Sequence, residues 1–204
     1  MSKVVLITGA TGKQGGATIR ALLDSPEAKD FTILAVTRNA ESEPAKKLKD
    51  KGVKIVQGDL NDVPAIFESA KKVTSQPIWG VFSVQLAMGK GASVKSEEVQ
   101  GKALVDGALQ NDVKIFVYTS VDRGGDDKSF DNPTDIPHFI SKYHIEHHLV
   151  EKAKGKMDYT ILRPVAFFDV SLTLLSLSVQ ILIYARILSL VSWAKPSQPC
   201  GKSV

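Results

Sequence analysis

A short apolar strand that runs directly into a glycine-rich turn opens this chain. Residues 4–7 are Val-Val-Leu-Ile, and Gly9, Gly12 and Gly15 then follow a G-x-x-G-x-x-G spacing ahead of an apolar helical pattern at 17–23. Gly9 suits the tight turn, Gly12 the close approach of backbone to a pyrophosphate, and Gly15 the packing of helix against strand. The helix N-terminus offers N–H groups to phosphates. An ordinary glycine-rich loop is the alternative, but the preceding strand favours dinucleotide binding.

Strands and helices alternate along the chain as far as about residue 165. The predicted later strands are short apolar runs at 31–37, 53–57, 79–84, 114–119 and 159–162. The predicted later helices include 63–72, 93–110 and 139–154. Continuous apolar strands indicate a parallel sheet that is buried on both faces. We therefore predict an α/β fold, a doubly wound parallel sheet of the Rossmann type with strand order 3-2-1-4-5-6, over residues 1–168.

Two local signals add detail to this scheme. Asp62, followed by Pro64, predicts the N-cap of the helix over 63–72. Glu98 lies four residues before Lys102, which predicts an ion pair on the exposed side of the helix over 93–110.

Composition narrows the class of protein. The 204 residues are 43% hydrophobic and 24% charged, which is typical of a globular protein. The net charge of +4 includes no basic run, so we expect no direct nucleic-acid binding. The single cysteine, Cys200, excludes an internal disulfide and fits a reducing compartment. Only four apolar residues separate Lys3 from the turn, so we expect no signal peptide and a cytoplasmic location, with the nucleus as a second one.

The end of the second strand carries the signal for nucleotide choice. In this fold an acidic residue there selects NAD, whereas an arginine accommodates the 2′-phosphate of NADP. Here the position is Arg38, with no carboxylate before Glu41. A charge-assisted hydrogen bond contributes about 1.5–3 kcal/mol, which is a roughly tenfold to hundredfold preference. The sequence predicts NADP(H), with a solvated arginine as the alternative. Asp59 fits a contact to the adenine amino group and a turn or capping role almost equally.

The ends of the last three strands should line the nicotinamide side of such a site. The polar and flanking residues found there are Ser83, Gln85, Thr119, Ser120, Arg163, Pro164 and Val165. Lys142 lies between the last two strands, in the helix over 139–154.

With these residues the chain resembles the NmrA-like group of atypical short-chain dehydrogenases/reductases. The resemblance covers about the first 168 residues in order and is carried by segments 8–15, 37–38, 58–60, 118–121, 141–146 and 162–167. It implies an NADP(H) site formed by Gly9, Thr11, Gly12, Lys13, Gln14, Gly15, Arg38, Asp59, Leu60, Ser83, Lys142 and Pro164.

The same resemblance implies candidates for catalysis. Ordinary short-chain dehydrogenases use a serine with Tyr-x-x-x-Lys, in which the tyrosine transfers the proton and the lysine lowers its pKa. Ser120 and Lys142 match the serine and lysine, but the tyrosine position is His138. His138 is a candidate proton donor, with an exposed histidine as the alternative. Tyr143 adjoins Lys142 and would point away from the site.

Two functions follow from the missing tyrosine. In lacking this tyrosine, the chain resembles the family's regulatory members, which bind the nucleotide and signal through a protein partner. Relatives similar to isoflavone reductases use a lysine alone as the acid–base group. We favour an NADP(H)-binding redox sensor that acts through a regulatory protein partner. The alternative is an NADPH-dependent oxidoreductase in which Lys142 assists reduction of a quinone-like or unsaturated small molecule.

The histidine-rich turn after Lys142 does not have the pattern of a metal site. His144, His147 and His148 surround Glu146 within one helical turn and so point in different directions. No cysteine or acidic residue with ligand spacing accompanies them. We predict a solvated helix face and no metal.

Residues 169–204 depart from the family pattern, in which a substrate-binding lobe follows. An apolar segment occupies 169–194, and a Pro/Ser/Lys-rich tail at 195–204 is predicted to be disordered. A membrane anchor needs about 20 apolar residues, whereas the uncharged run over 170–185 has 16 and Arg186 interrupts it. The other interpretations are an apolar surface that covers the sheet or a partner, and a truncated or mis-spliced product, which we favour. In either case the substrate lobe is truncated or atypical.

Overall fold

Six strands form one parallel sheet in the computed structural model, which describes residues 2–85 and 93–165. They are β1 (Lys3–Ile7), β2 (Phe31–Thr37), β3 (Lys54–Gln57), β4 (Ile78–Ser83), β5 (Ile115–Thr119) and β6 (Asp158–Leu162). Their order, β3-β2-β1-β4-β5-β6, confirms the predicted doubly wound Rossmann arrangement.

Helices connect the strands. They are α1 (Lys13–Leu23), α2 (Glu43–Asp50), α3 (Val63–Val73), α4 (Val94–Gln110), α5 (Asp126–Ser129) and α6 (Pro137–Ala153). The Asp62 carboxylate accepts a hydrogen bond from the Ala65 N–H at 3.2 Å, which confirms the predicted N-cap of α3. The predicted Glu98–Lys102 ion pair is also present, at 2.5 Å. The four-residue helix α5 was not predicted, because one turn is too short to show a helical period.

The two faces of the sheet pack against different helices. On β1, Val4 and Leu6 belong to a core cluster that includes residues of α3, α4 and α6, whereas Val5 and Ile7 belong to a second cluster with α1. This alternation is the period of two expected of a strand buried on both faces. The strand order reverses between β1 and β4, because β2 and β3 lie on one side of β1 and β4 to β6 lie on the other. Ligands of open α/β sheets bind at this switch point, beyond the carboxyl ends of the strands.

Helices α4 and α6 lie unusually close together on one face of the sheet. A Cβ added at Gly101 of α4 would lie 2.5 Å from Ile145 Cδ1 of α6, so any side chain at position 101 would have to displace Ile145. Ser93 caps α4 by accepting a hydrogen bond from the Ser96 N–H at 3.0 Å. The cap and the close approach together bring the first turn of α4 beside the first turns of α6.

The predicted boundary at residue 168, the apolar segment 169–194, the tail 195–204 and Cys200 lie outside the described residues. Among the helices that the structure describes, none has both the length and the apolar character needed to cross a membrane.

Candidate functional site

The turn after β1 forms a cradle in which Gly9 and Gly15 leave no room for a side chain. Gly9 has φ +58°, and a Cβ there would lie 2.7 Å from Val84 Cγ1. A Cβ on Gly15 would lie 2.4 Å from the Gly9 carbonyl oxygen, because α1 starts directly against the turn. Gly12 is the N-cap of α1 and supplies no side-chain cap. The turn therefore brings bare backbone to a helix N-terminus, which is the arrangement that binds phosphates.

Thr8 ties this cradle to the end of β4. Its Oγ1 donates to the Val84 carbonyl oxygen at 3.0 Å and accepts from the Val84 N–H at 2.9 Å. Its own N–H donates to the Phe82 carbonyl oxygen at 3.0 Å. Thr8 was not among the predicted site residues, although a buried threonine directly before a glycine turn is a usable signal. The phosphate side and the β4 side of the site are therefore held together.

Three other predicted residues line the turn. Thr11 and Lys13 are exposed, and Gln14 is half-buried. The Oε1 atom of Gln14 is buried and has no hydrogen-bond partner among the described residues. A buried acceptor without a donor is uncommon in native proteins and fits a polar ligand in the cradle.

Arg38 lies just beyond β2 with an exposed side chain that has no partner among the described residues. The backbone around it is fixed, because Asn39 Oδ1 accepts from the Glu41 N–H at 3.0 Å and the Asn39 carbonyl oxygen accepts from Ser42 Oγ at 2.9 Å. The guanidinium is thus available to an anion at the position that contacts the adenosine ribose in this fold.

Asp59 and Leu60 follow β3 at the same edge of the sheet. Asp59 Oδ1 accepts from the Asn61 N–H at 2.9 Å. The aspartate therefore has the turn role that the sequence left open, and its contact to adenine stays a prediction. Leu60 is half-buried against the core.

The carboxyl ends of β4 and β5 carry buried polar groups. Ser83 Oγ accepts from Gln85 Nε2 at 2.8 Å. The Gln85 Oε1 and Thr119 Oγ1 atoms are buried without a hydrogen-bond partner in the described part of the chain. Such orphaned atoms, like that of Gln14, fit a site that takes a polar ligand along this edge. Pro164 lies beyond β6, where its carbonyl oxygen accepts from the Asp122 N–H at 3.0 Å.

Lys142 and His138 meet at one carboxylate that sequence reasoning missed. Glu97, in the first turn of α4, is fully buried. Its Oε1 forms an ion pair with Lys142 Nζ at 3.1 Å, and its Oε2 lies 2.9 Å from His138 Nδ1. The contact to Lys142 is ionic rather than a well-aligned hydrogen bond, because Oε1 has no partner by hydrogen-bond geometry. Ser141 Oγ also donates to Glu97 Oε2.

Lys142 is held at the end of β5. Its Nζ donates to the Thr119 carbonyl oxygen at 3.1 Å and lies 5.5 Å from the centre of the Tyr118 ring. The lysine side chain is 8% exposed. Burial, together with the charges of Glu97 and Glu146, raises the pKa of Tyr118 well above its ordinary value. Because this tyrosine is fully buried and keeps its proton, it does not replace the tyrosine that is absent at position 138.

Ser120 belongs to a different cluster. Its Oγ donates to Glu146 and accepts from Arg123 Nη1 at 3.2 Å. The fully buried Glu146 also pairs with Arg123 at 2.9 Å and with Arg163 at 2.7 Å. The structure therefore separates Ser120 from Lys142 in its polar contacts. Burial alone raises the pKa of Glu146, but hydrogen bonds from Arg163, Arg123 and Ser120 outweigh burial and hold that pKa below its usual range.

The two buried carboxylates had a sequence signal. Glu97 lies on the same helical stripe as Gly101, Leu104, Val105 and Ala108, and Glu146 shares a stripe with Ile145, Leu149 and Ala153. A charged residue on the apolar stripe of a helix requires a buried partner. Applied to α4, this rule selects Glu97 over its neighbour Glu98.

The histidines after Lys142 are half-buried rather than solvated as predicted. His144 Nδ1 lies 2.9 Å from Glu98 Oε2, and His148 Nε2 lies 2.8 Å from Asp106 Oδ1, so both contact α4. His147 Nε2 lies 2.8 Å from the Phe130 carbonyl oxygen. The prediction failed because α4 packs closely enough to reach the rings of His144 and His148, while Phe130 stacks on that of His147. Within the described residues, no group of side chains has the arrangement of a metal site.

The parallel sheet with a glycine cradle at its switch point defines a protein of the doubly wound Rossmann class. Within that class the chain belongs to the NmrA-like family, whose model matches residues 1–199. The resemblance inferred from the sequence is confirmed.

Curated relatives are about a third identical to this chain within the segments that align. An NmrA-like family domain-containing protein of Dictyostelium discoideum is 30% identical over 159 residues, which are 78% of this chain and 49% of that protein. The NmrA-like family domain-containing oxidoreductase lnaB of Aspergillus flavus is 32% identical over 126 residues, which are 58% of this chain and 34% of that protein. The chain thus spans half or less of the length of these relatives.

Solved structures show the same fold. The Citrobacter sp. triphenylmethane reductase, complexed with NADP(H), matches with a TM-score of 0.62 and 26% identity over 83% of this chain and 51% of that chain. NmrA, a negative transcriptional regulator in complex with NADP, matches with a TM-score of 0.57 and 19% identity over 78% of this chain and 48% of that one. The second likeness shows the fold alone.

Proposed function

We propose that this chain binds NADP(H) along the carboxyl edge of its sheet. The pyrophosphate lies on the cradle of Gly9, Gly12 and Gly15, and Arg38 contacts the 2′-phosphate. The proposal is supported by the absence of room for any Cβ at Gly15, by the Arg38 guanidinium, which has no partner within residues 2–85 and 93–165, and by the NADP(H) complex of the related reductase. Ser83 and Pro164 lie toward the nicotinamide.

We further propose that the bound nucleotide serves a reductase reaction. NADPH supplies a hydride, and the acceptor then needs a proton. Lys142 is the group placed to give it, because its ammonium lies at the carboxyl end of β5 with Glu97 and Thr119 both at 3.1 Å. This buried, doubly held lysine is the observation that carries the proposal, since Ser120 is engaged by Glu146. Quinone-like or unsaturated small molecules are the acceptor class.

A nucleotide sensor that acts through a regulatory protein partner is the second candidate. It is favoured because two of the three residues used by ordinary short-chain dehydrogenases, the tyrosine and the serine, are missing or engaged elsewhere. Position 138 is histidine instead of tyrosine, and the Ser120 hydroxyl is committed to the Arg123–Glu146 pair. In this case Lys142 contributes to holding the nucleotide and not to chemistry.

Nucleotide choice tests the binding site. Calorimetric titration should give tighter binding of NADPH than of NADH, and Arg38→Gln should weaken NADPH binding roughly tenfold to a hundredfold while leaving NADH binding unchanged. Arg20→Gln, which changes another exposed arginine, in α1, is the matched control and should have no effect. Equal affinities for both nucleotides would remove Arg38 from its role, and binding of neither would overturn the proposed site.

Turnover separates the reductase from the sensor. NADPH oxidation is measured spectroscopically with a panel of quinones and unsaturated carbonyl compounds. Lys142→Met should lower turnover by about 10²–10⁴-fold, whereas Lys152→Met, on the exposed part of the same helix, should leave it unchanged. Titration of NADPH into Lys142→Met shows whether binding is also lost. Tight NADPH binding with no turnover on any acceptor would reject the reductase and support the sensor.

A further inference from the structure

One carboxylate links a partly exposed imidazole to a buried ammonium in this protein. Glu97 is fully buried, yet each of its oxygens has a different titratable neighbour: Oε1 faces Lys142, and Oε2 faces His138. The His138 side chain is 30% exposed, whereas that of Lys142 is 8% exposed. His138 is therefore the most exposed of the three groups, and the carboxylate that links it to the lysine is fully buried.

We propose that Glu97 and His138 form a relay that returns a proton to Lys142 after each turnover, an inference that rests on the proposed reductase activity. The requirement is physical. Once the lysine has given its proton to the reduced acceptor, the amine left behind is largely shielded from water, and its nearest titratable neighbour is the Glu97 carboxylate. A direct exchange with solvent would need the side chain to leave its contacts with Glu97 and Thr119.

The proton balance of the relay closes. An N–H bond of the Lys142 ammonium breaks as a bond from hydrogen to the reduced acceptor forms. His138, in its doubly protonated form, breaks its Nδ1–H bond and gives that proton to Oε2 of Glu97, which becomes a neutral carboxyl group, while the ring becomes neutral and keeps its Nε2 proton. A half-turn of that group about the Cγ–Cδ bond exchanges the two oxygens and delivers the proton to the amine. The neutral His138 ring recovers its Nδ1 proton from water, so each turnover consumes one solvent proton and leaves the ammonium, the carboxylate and the imidazolium as they began.

The surroundings of Glu97 stabilise the ionised carboxylate to which the relay returns after each turnover. A carboxylate in the first turn of a helix is stabilised by the helix dipole, and the Ser141 hydroxyl donates to the same Oε2 that faces His138. The neighbouring pair of His144 and Glu98 joins the same two helices, but neither of its members touches Lys142. It therefore supplies a matched control in which a histidine–carboxylate contact exists without access to the lysine.

The ring tautomer of His138 gives a readout that needs no nucleotide. Because an ionised carboxylate only accepts hydrogen bonds, neutral His138 should carry its proton on Nδ1, and His148, which faces Asp106 through Nε2, should carry it on Nε2. Long-range proton–nitrogen NMR spectra of the full chain distinguish the two tautomers. Glu97→Gln should change the His138 signals and leave those of His148 unchanged. Identical His138 signals in Glu97→Gln would show that the contact is absent and would overturn the relay.

Kinetics then test the transfer itself. His138→Ala should lower NADPH-dependent turnover on the order of 10²-fold without changing NADPH affinity, and added imidazole should restore part of the lost rate, an effect that a merely structural residue would not show. His144→Ala should retain the wild-type rate and gain nothing from imidazole. Because His138 is partly exposed and Glu97 is fully buried, His138→Ala is expected to fold even if Glu97→Gln does not, and it then tests the relay by itself.

Failure of the relay differs from failure of the reductase. A His138→Ala protein with full turnover, or with a loss that imidazole does not rescue, while Lys142→Met is inactive, would overturn only the relay. A wild-type chain that binds NADPH without turning over any acceptor would overturn both proposals.

Discussion

At the scale of single residues, the main finding is how the buried charges are arranged. Glu97 and Glu146 are both fully buried, and each has basic partners within 3.1 Å. A charge taken out of water is costly unless it is paired and hydrogen-bonded. The two carboxylates differ in their partners. Glu97 contacts a histidine and a lysine, which can exchange protons, whereas Glu146 contacts two arginines, which remain charged throughout the working pH range.

Removing the Glu146 carboxylate should destabilise the fold. Glu146→Gln leaves the buried Arg123 and the partly buried Arg163 without their anion, so we expect a loss of about 3–5 kcal/mol in the free energy of unfolding. Urea denaturation followed by circular dichroism measures the loss. Glu151→Gln, on the exposed part of the same helix, should stay within about 0.5 kcal/mol of the wild type. Equal midpoints for both variants would contradict this account.

The ion pairs of Glu146 with Arg123 and Arg163 also predict how the free energy of unfolding depends on pH. The pKa of Glu146 is lower in the folded protein than in the unfolded chain, where it is about 4.3. Its contribution is therefore fully present above that value and is lost as the pH falls through the lower folded-state pKa. The wild-type stability curve should fall more steeply than that of Glu146→Gln in this acid range, and parallel curves would count against the assignment.

At the scale of elements, the packing of α4 on α6 decides whether the site forms. The two helices touch at Gly101 and Ile145 and are joined by the pairs Glu98–His144 and Asp106–His148. The contact between Glu97 and Lys142 crosses the same interface one helical turn away. A small separation of the helices would therefore move the carboxylate away from the lysine.

A methyl group at Gly101 should test this coupling. Gly101→Ala favours the helical conformation by about 1 kcal/mol, but its Cβ would lie 2.5 Å from Ile145 Cδ1, and overpacking costs about 1–3 kcal/mol. We expect a net loss of stability and lower Lys142-dependent turnover. Ile145→Ala removes Cδ1, Cγ1 and Cγ2, the three atoms that the added Cβ would meet, so the double variant should be more stable than the sum of the single effects by about 0.5–3 kcal/mol. Simple additivity, measured by urea denaturation, would reject the contact.

At the scale of the whole molecule, the sequence predicted the order of the strands and missed the pairs that cross between helices. Strand order follows from alternating apolar runs and the position of the glycine turn, and both are local signals. Asp62 and Lys102 were interpreted correctly because their partners lie within four residues. The partners of Glu97 lie 41 to 45 positions away along the chain, and only the packing of α4 on α6 selects them. The single turn α5 carried too few residues to predict.

The environment of the histidines shows the same limit. The sequence places His144 and His148 on one side of a helix but does not say what that side faces. In the folded chain it faces the acidic residues of α4. Their spacing is thus explained by contact between helices rather than by exposure to water.

The Thr8 hydroxyl gives the molecule a mechanical property. By bonding to both the N–H and the carbonyl oxygen of Val84, it ties the glycine loop after β1 to the end of β4. In the proposed site these two elements contact opposite halves of the dinucleotide, so the Thr8 hydrogen bonds would fix their separation before the ligand arrives. Binding of either half of the dinucleotide already removes most of the translational and rotational freedom of the molecule, so the other half binds with little further loss. The intact dinucleotide should therefore bind far more tightly than an equimolar mixture of its two mononucleotide fragments.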